Sequence, residues 1–137
     1  MEPDGILETA LYADDLVSAE RFYAQVLGLH LESREPGRHV FFRCGRSMLM
    51  IFRPAATSQR PPIGTRQPVP PHGAVGPGHV CFRVLSHDFP RWLDHLRRHR
   101  VRIEADFNWP NGARSVYFRD PANNSVEFAE PRLWPMT

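Results

Sequence analysis

Six residues of this chain occur twice in nearly the same form. Arg38-His39-Val40-Phe41-Phe42-Arg43 returns as Arg114-Ser115-Val116-Tyr117-Phe118-Arg119, with four of the six identical. The surrounding pattern recurs in the same order, so the 137 residues read as two copies of one module within a single domain. Such a duplication constrains the fold more than composition does, because any architecture must serve both halves. Function is expected where the copies meet.

The first module spans about residues 5–54. Alternation over Ile6 to Tyr12 separates Leu7, Thr9 and Leu11 from Glu8, Ala10 and Tyr12, which predicts a strand with a carboxylate on its less apolar face. Asp14 or Asp15 can cap a helix with the apolar stripe Ala19, Phe22, Tyr23, Val26 and Leu27, stopped by Gly28. Strands are expected near Leu29 to Arg34, Arg38 to Arg43 and Ser47 to Arg53, divided by Pro36-Gly37 and Gly45. The second module, about 78–131, repeats the plan. A strand from His79 to Val84 leads through a cap at Ser86 or Asp88 into a helix with Phe89, Trp92, Leu93 and Leu96 on one face. Strands near Val101 to Glu104, Arg114 to Arg119 and Ser125 to Ala129 follow, before a short C-terminal tail.

Each module is therefore βαβββ. The expected fold is α+β, with two such modules forming a curved mixed sheet around a concave site and the helices outside. Residues 55–77 form a linker rich in proline and glycine with no clear period, read as an ordered connection or an active-site cover. Its Pro70-Pro71-His72-Gly73 end is expected to be the fixed part, with His72 as a surface loop residue.

Composition removes several mechanisms. All seventeen basic residues are arginine, which excludes Schiff-base chemistry and a P-loop lysine. The net charge of +2 gives little support to nucleic-acid binding, and the cluster Arg97, Arg98, Arg100 and Arg102 reads as a solvated helix end. The longest apolar run, Met48 to Phe52, falls short of a membrane span, and Met1-Glu2-Pro3-Asp4 does not resemble a secretion signal. A cytoplasmic protein that binds neither nucleic acid nor membrane is the expectation. Cys44 and Cys81 lack zinc-cluster spacing and are expected to be reduced and packed.

Aligning the copies pairs Glu8 with His79 and Met50 with Glu127, and alternation sends all four to the concave face. Carboxylates and an imidazole among strand residues are costly unless paired or metal-bound, so Glu8, His79 and Glu127 suggest a cation. One imidazole and two carboxylates suit Fe²⁺, Mn²⁺, Ni²⁺ or Zn²⁺ with open positions for a substrate. Met50 is a poor ligand for such ions and is expected to pack beside the site.

Four stretches carry a family resemblance. They are Glu8-Thr9-Ala10-Leu11-Tyr12-Ala13-Asp14-Asp15-Leu16, the helix from Ala19-Glu20-Arg21-Phe22-Tyr23 to Val26-Leu27-Gly28-Leu29, the strand Gly78-His79-Val80-Cys81-Phe82-Arg83-Val84, and the ending Phe118-Arg119-Asp120-Pro121-Ala122-Asn123-Asn124-Ser125-Val126-Glu127-Phe128. With these the chain resembles the vicinal oxygen chelate superfamily of glyoxalase I, extradiol dioxygenases, fosfomycin-resistance transferases and bleomycin-resistance proteins. The resemblance implies metal ligands at Glu8, His79 and Glu127, and it implies a homodimer. It departs from the family pattern at Glu8, where histidine or glutamine is usual, and at Met50, where glyoxalase-like members carry a fourth ligand.

The expected function is a divalent-metal enzyme, dioxygenase-like or lyase/isomerase-like, whose metal chelates two oxygens of a small hydrophobic or aromatic substrate. Glu8 or Glu127 is a candidate base if displaced from the metal, and His39 and Tyr117 are candidate proton donors. Tyr12, Phe41, Met50, Phe52, Arg83 and Ser115 are the candidate substrate-binding residues, with Arg83 available for a substrate carboxylate or for Glu127. Trp109, beside a turn, is expected to serve packing. The rival expectation is a metal-free protein that sequesters a drug or metabolite, as bleomycin-resistance members do.

Overall fold

A computed structural model describes residues 1–136 of the chain. It divides into two compact units, Met1–Gly76 and Pro77 onward. The fold is α+β, with one open, curved, four-stranded mixed sheet in each unit.

In the first unit β1 (Glu8–Tyr12), β2 (His30–Glu35), β3 (His39–Cys44) and β4 (Ser47–Phe52) lie in the order β1-β4-β3-β2. Strands β1 and β4 run parallel, with Glu8 opposite Met48 and Tyr12 opposite Phe52. Helix α1 (Leu16–Arg21) starts at Asp15, whose carboxylate accepts hydrogen bonds from the Ser18 amide and hydroxyl at 3.0 and 2.6 Å. It continues as a π-helical turn over Phe22–Val26, and Gly28 then takes a φ of 70°, the left-handed conformation a helix stop requires. Ala19, Phe22, Tyr23 and Leu27 are buried with Val40, Phe42, Leu49 and Ile51 from the sheet.

The opening strand is shorter than the alternation suggests. Ile6 and Leu7 precede the first paired residue and are exposed, so only Leu11 of the expected inward set is fully buried. A short helix α2 (Pro54–Thr57), with proline in its first turn, also follows β4 where only linker was expected.

The second unit repeats the topology as β5-β8-β7-β6, from β5 (His79–Arg83), β6 (Ala105–Asn108), β7 (Arg114–Arg119) and β8 (Ser125–Ala129). Helix α3 (Phe89–Arg98) buries Phe89, Leu93 and Leu96, and Trp92 meets Phe128 edge-on at 4.8 Å. Neither expected cap acts through its side chain. Asp88 is the N-cap residue without a side-chain hydrogen bond, and a 3₁₀ turn over Ser86–Asp88 leads into the helix.

Strand β6 begins at Ala105, after the expected Val101 to Glu104. The amide of Val101 is still bonded to Leu96 at the helix end, and Arg100 takes a φ of 58°. The edge strand is secured instead by two forked pairs, Arg114 on Asp106 at 2.8 and 2.7 Å and Arg119 on Glu104 at 2.6 and 2.9 Å. Among the described residues no helix is long and apolar enough to cross a membrane.

Candidate functional site

The two sheet faces that carry chemistry differ in character. In the first unit, cross-strand pairing puts Phe41 opposite Met50 and His39 opposite Phe52. The His39 ring stacks on Phe41 with centroids 3.9 Å apart, and Phe52 meets Phe41 edge-on at 5.3 Å. Tyr12 lies 6.2 Å from Phe52, so Tyr12, His39, Phe41 and Phe52 form one aromatic cluster. Glu8 lies at the exposed start of β1, on the same face by alternation.

The linker end joins this cluster. The amide of His72 donates to the carbonyl of Thr57 at 3.0 Å, and Pro54 lies beside Gly73, 3.5 Å from where a Cβ would stand. The pinned His72 brings Nδ1 within 2.7 Å of the Tyr12 hydroxyl, and its ring stands edge-on to Phe52 at 4.6 Å. His72 is thus part of the aromatic face. His39 Nδ1 is buried and, among the described residues, has no hydrogen-bond partner, since Glu35 Oε2 at 3.8 Å is too distant to serve as one. Burial, opposed by the charge of Glu35, holds the His39 imidazole below its usual pKa and favours the neutral ring.

In the second unit β5, β8 and β7 place His79, Glu127, Tyr117 and Ser115 together. Glu127 stands opposite Cys81 on one side and Tyr117 on the other. It is a buried carboxylate, only 5% exposed, and therefore needs partners. Ser115 donates to its Oε1 at 2.6 Å, and Oε2 lies 3.3 Å from His79 Nε2. Arg83 ends β5 on the exposed side, and among the described residues no ion pair joins it to Glu127.

The orientation of His79 follows from its other nitrogen. Nδ1 is 3.1 Å from the Ser125 carbonyl, which can only accept, so Nδ1 carries a proton and donates it. In the neutral ring Nε2 then presents a lone pair toward the oxygen of Glu127. Two electron-rich atoms facing each other at this distance call for a proton or a cation between them. The back-bonded Nδ1 is also the usual way a metal-binding histidine is oriented. This donor pair therefore fits a divalent ion. Within either unit, among the described residues, no group of three or more His, Cys, Asp or Glu side chains is found that could hold one.

The charge of Glu127 reaches its neighbours. Burial first, and then hydrogen bonding and proximity to Glu127, push the Tyr117 phenol up to about 12. The Cys81 thiol is likewise pushed up to about 12, chiefly by desolvation and then by Glu127. Both groups stay protonated at neutral pH, Tyr117 as a donor and Cys81 as an unactivated thiol.

A family model described as the Glyoxalase/Bleomycin resistance protein/Dioxygenase superfamily matches residues 5–128. The chain belongs to this superfamily. Among solved structures of glyoxalase-superfamily proteins, a lactoylglutathione lyase from Agrobacterium tumefaciens is 45% identical, with a TM-score of 0.91 over 99% of this chain and 100% of that one. A glyoxalase/bleomycin resistance protein/dioxygenase from Nocardioides is 21% identical, with a TM-score of 0.72 over 95% of this chain and 85% of that one. A glyoxalase family protein from Bacillus anthracis is 19% identical, with a TM-score of 0.69 over 95% and 97% of the two chains. These last two share the superfamily fold. A comparison with curated proteins found no match.

For this superfamily member, sequence reasoning passed over three contributors to the site. His72 looked like a surface loop residue because nothing local shows that Thr57 pins its backbone. Asn124 looked like part of a turn, yet its Oδ1 accepts from the Gly78 amide at 2.7 Å and so ties the β7–β8 turn to the residue before His79. The paired carboxyl and amide of Asp120 and Asn124 were the available signal. Trp109 was assigned to packing, but its indole Nε1 donates to Ser115 Oγ at 2.8 Å.

Proposed function

We propose that this chain is a divalent-metal-dependent enzyme of the glyoxalase type, with lyase or isomerase chemistry on a small substrate that presents two oxygens. The observation that carries the metal is the His79–Glu127 pair, with Nδ1 committed to Ser125 and Nε2 facing Oε2. Glu8 is proposed as the third ligand, at the position where the family usually carries histidine or glutamine. The 45% identical lactoylglutathione lyase supports the lyase reading over the dioxygenase one.

When bound, such a metal supplies Lewis-acid stabilisation of a developing oxyanion. Tyr117, kept protonated, donates a hydrogen bond to a substrate oxygen, and neutral His39 accepts or returns a proton. Tyr12, Phe41, Met50 and Phe52 bind the hydrophobic or aromatic part of the substrate, while Arg83 neutralises a substrate carboxylate. Glu8, exposed at the start of β1, would help hold the metal and is the candidate base. Action in a homodimer, in the cytoplasm, is part of the same proposal.

Elemental mass spectrometry on untagged protein tests the reading, comparing wild type with the Glu8→Ala, His79→Ala and Glu127→Ala variants. About one divalent ion per chain, lost in the variants, is expected. Turnover of lactoylglutathione by the loaded protein then tests the reaction. Wild type that takes up no metal after reconstitution would reject the enzyme in favour of a ligand-sequestering protein.

A further inference from the structure

We infer that Ser115 and Trp109 are positioning residues for the Glu127 carboxylate, occupying Oε1 so that Oε2, beside His79 Nε2, is the oxygen left to take a divalent cation. This rests on the metal reading above and adds two residues to it, neither of which would touch the metal.

Chemistry fixes the direction of the relay. An indole nitrogen can only donate, so Trp109 Nε1–H donates to Ser115 Oγ at 2.8 Å. The single proton of Ser115 is then free for Glu127 Oε1, at 2.6 Å, and an ionised carboxylate can only accept. Ser115 is 0% exposed, so water does not compete for its hydroxyl. The bond to Glu127 is short and charge-assisted, the strong class of hydrogen bond.

The far end of the relay is also fixed. The Trp109 amide donates to the Ala113 carbonyl, and the Gly112 amide donates to the Trp109 carbonyl, both at 2.8 Å. The positive φ of Gly112, 84°, lets the chain close this turn. Phe107 packs on the indole at 5.0 Å and lies parallel to Tyr117 at 5.8 Å. The tryptophan is therefore held by backbone on one side and by rings on the other.

A carboxylate on two single bonds can present either oxygen, or both, to an ion. The groups facing Glu127 are His79 and Cys81 from β5 and Ser115 and Tyr117 from β7. Of these, the Ser115 hydroxyl is anchored at its oxygen by the Trp109 indole, while Tyr117 and Cys81 also hydrogen-bond to Glu127. Removing the Ser115 hydroxyl frees Oε1 to rotate and leaves the Trp109 N–H without its acceptor. Loss of an orienting partner of this kind weakens metal affinity by about 10–100-fold.

The test is titration of the full-length metal-free chain with Co²⁺, by calorimetry and by visible absorption, at one fixed pH. Wild type is expected to bind. Ser115→Ala should bind about 10–100-fold more weakly with an altered Co²⁺ spectrum, Trp109→Phe should lose less, and Ser115→Thr, which keeps the hydroxyl, should recover most of the affinity. If Ser115→Ala binds Co²⁺ with wild-type affinity and spectrum, the positioning role is wrong while the metal site stands. Equal losses in Ser115→Thr and Ser115→Ala would also overturn it, by pointing to packing. A wild type that binds no Co²⁺ rejects both readings. Should Ser115→Ala fail to fold, Trp109→Phe, at a side chain 36% exposed, decides, and unchanged affinity there overturns the relay.

Discussion

The Tyr12 hydroxyl lies 2.7 Å from Nδ1 of His72, sixty residues further along the chain. This contact ties the end of the proline-rich linker to the first strand of its own unit. The hydrogen bond is part-buried and set against Phe52. Tyr12→Phe, which keeps the ring and removes the oxygen, should destabilise the protein by about 0.5–1.5 kcal/mol. Urea denaturation reads this directly, and a variant as stable as wild type would show that the linker end is held without this hydrogen bond.

Asn124 carries a larger share of the second unit. It is 1% exposed, accepts from Gly78 through Oδ1, and donates through Nδ2 to Asp120 Oδ2 at 2.9 Å. Asp120 Oδ1 in turn accepts from the amides of Ala122 and Asn124 at 2.9 and 2.8 Å. Asn124→Ala would remove the acceptor of the Gly78 amide and one donor to Asp120, at a cost of about 1–3 kcal/mol for a buried group left unsatisfied. Because Gly78 leads into His79, Co²⁺ affinity should fall as well. A loss below about 0.5 kcal/mol in urea denaturation, the range of an ordinary surface substitution, would contradict this account.

Glu130 predicts how stability responds to acid. The Arg132 guanidinium, then the Ser86 hydroxyl and the Arg114 amide, hold its carboxyl down to about 2 from a usual 4.5. A depressed folded-state pKa means that the unfolded chain takes up the proton first. The stabilisation is present above pH 4.5 and is lost as pH falls toward 2. The gap in Tm between wild type and Glu130→Gln should therefore be wide at pH 6 and close across that window. A gap that does not change with pH would remove Glu130 as its source.

The sequence resolves the βαβββ duplication because strand pairing needs period-two alternation and the helices need a 3.6-residue stripe, and both survive in each copy. It misplaces β6 because Ala105-Asp106-Phe107-Asn108 alternates over only four residues, with Ala105 and Phe107 the whole of its apolar face. That edge strand is held by arginines of β7, a long-range cause that local pattern does not show. Alternation also puts His79 and Glu127 on one face, and the parallel pairing that sets Cys81 opposite Glu127 brings them diagonally together. The roles of Ser115, Trp109 and His72 stay hidden because each depends on which atom a side chain meets. Ser115 in particular reads as a site-lining residue from alternation, and its complete burial under Glu127 becomes visible only when β7 and β8 are paired.

Cys81 offers a chemical check on the charge of Glu127. The thiol is on the exposed side of β5, yet desolvation around its sulfur and the adjacent carboxylate push its pKa up to about 12. At pH 8 the reactive thiolate is then a minute fraction, so alkylation by iodoacetamide should be much slower than for a free cysteine. Glu127→Gln removes the charge and one part of the shift, so it should speed the reaction while desolvation keeps it below the free-thiol rate. Mass spectrometry of the Cys81 peptide over time measures both rates. Fast labelling in wild type would mean that the sulfur is better solvated than its contacts suggest, and equal rates in the two proteins would mean that Glu127 contributes nothing to the shift of Cys81.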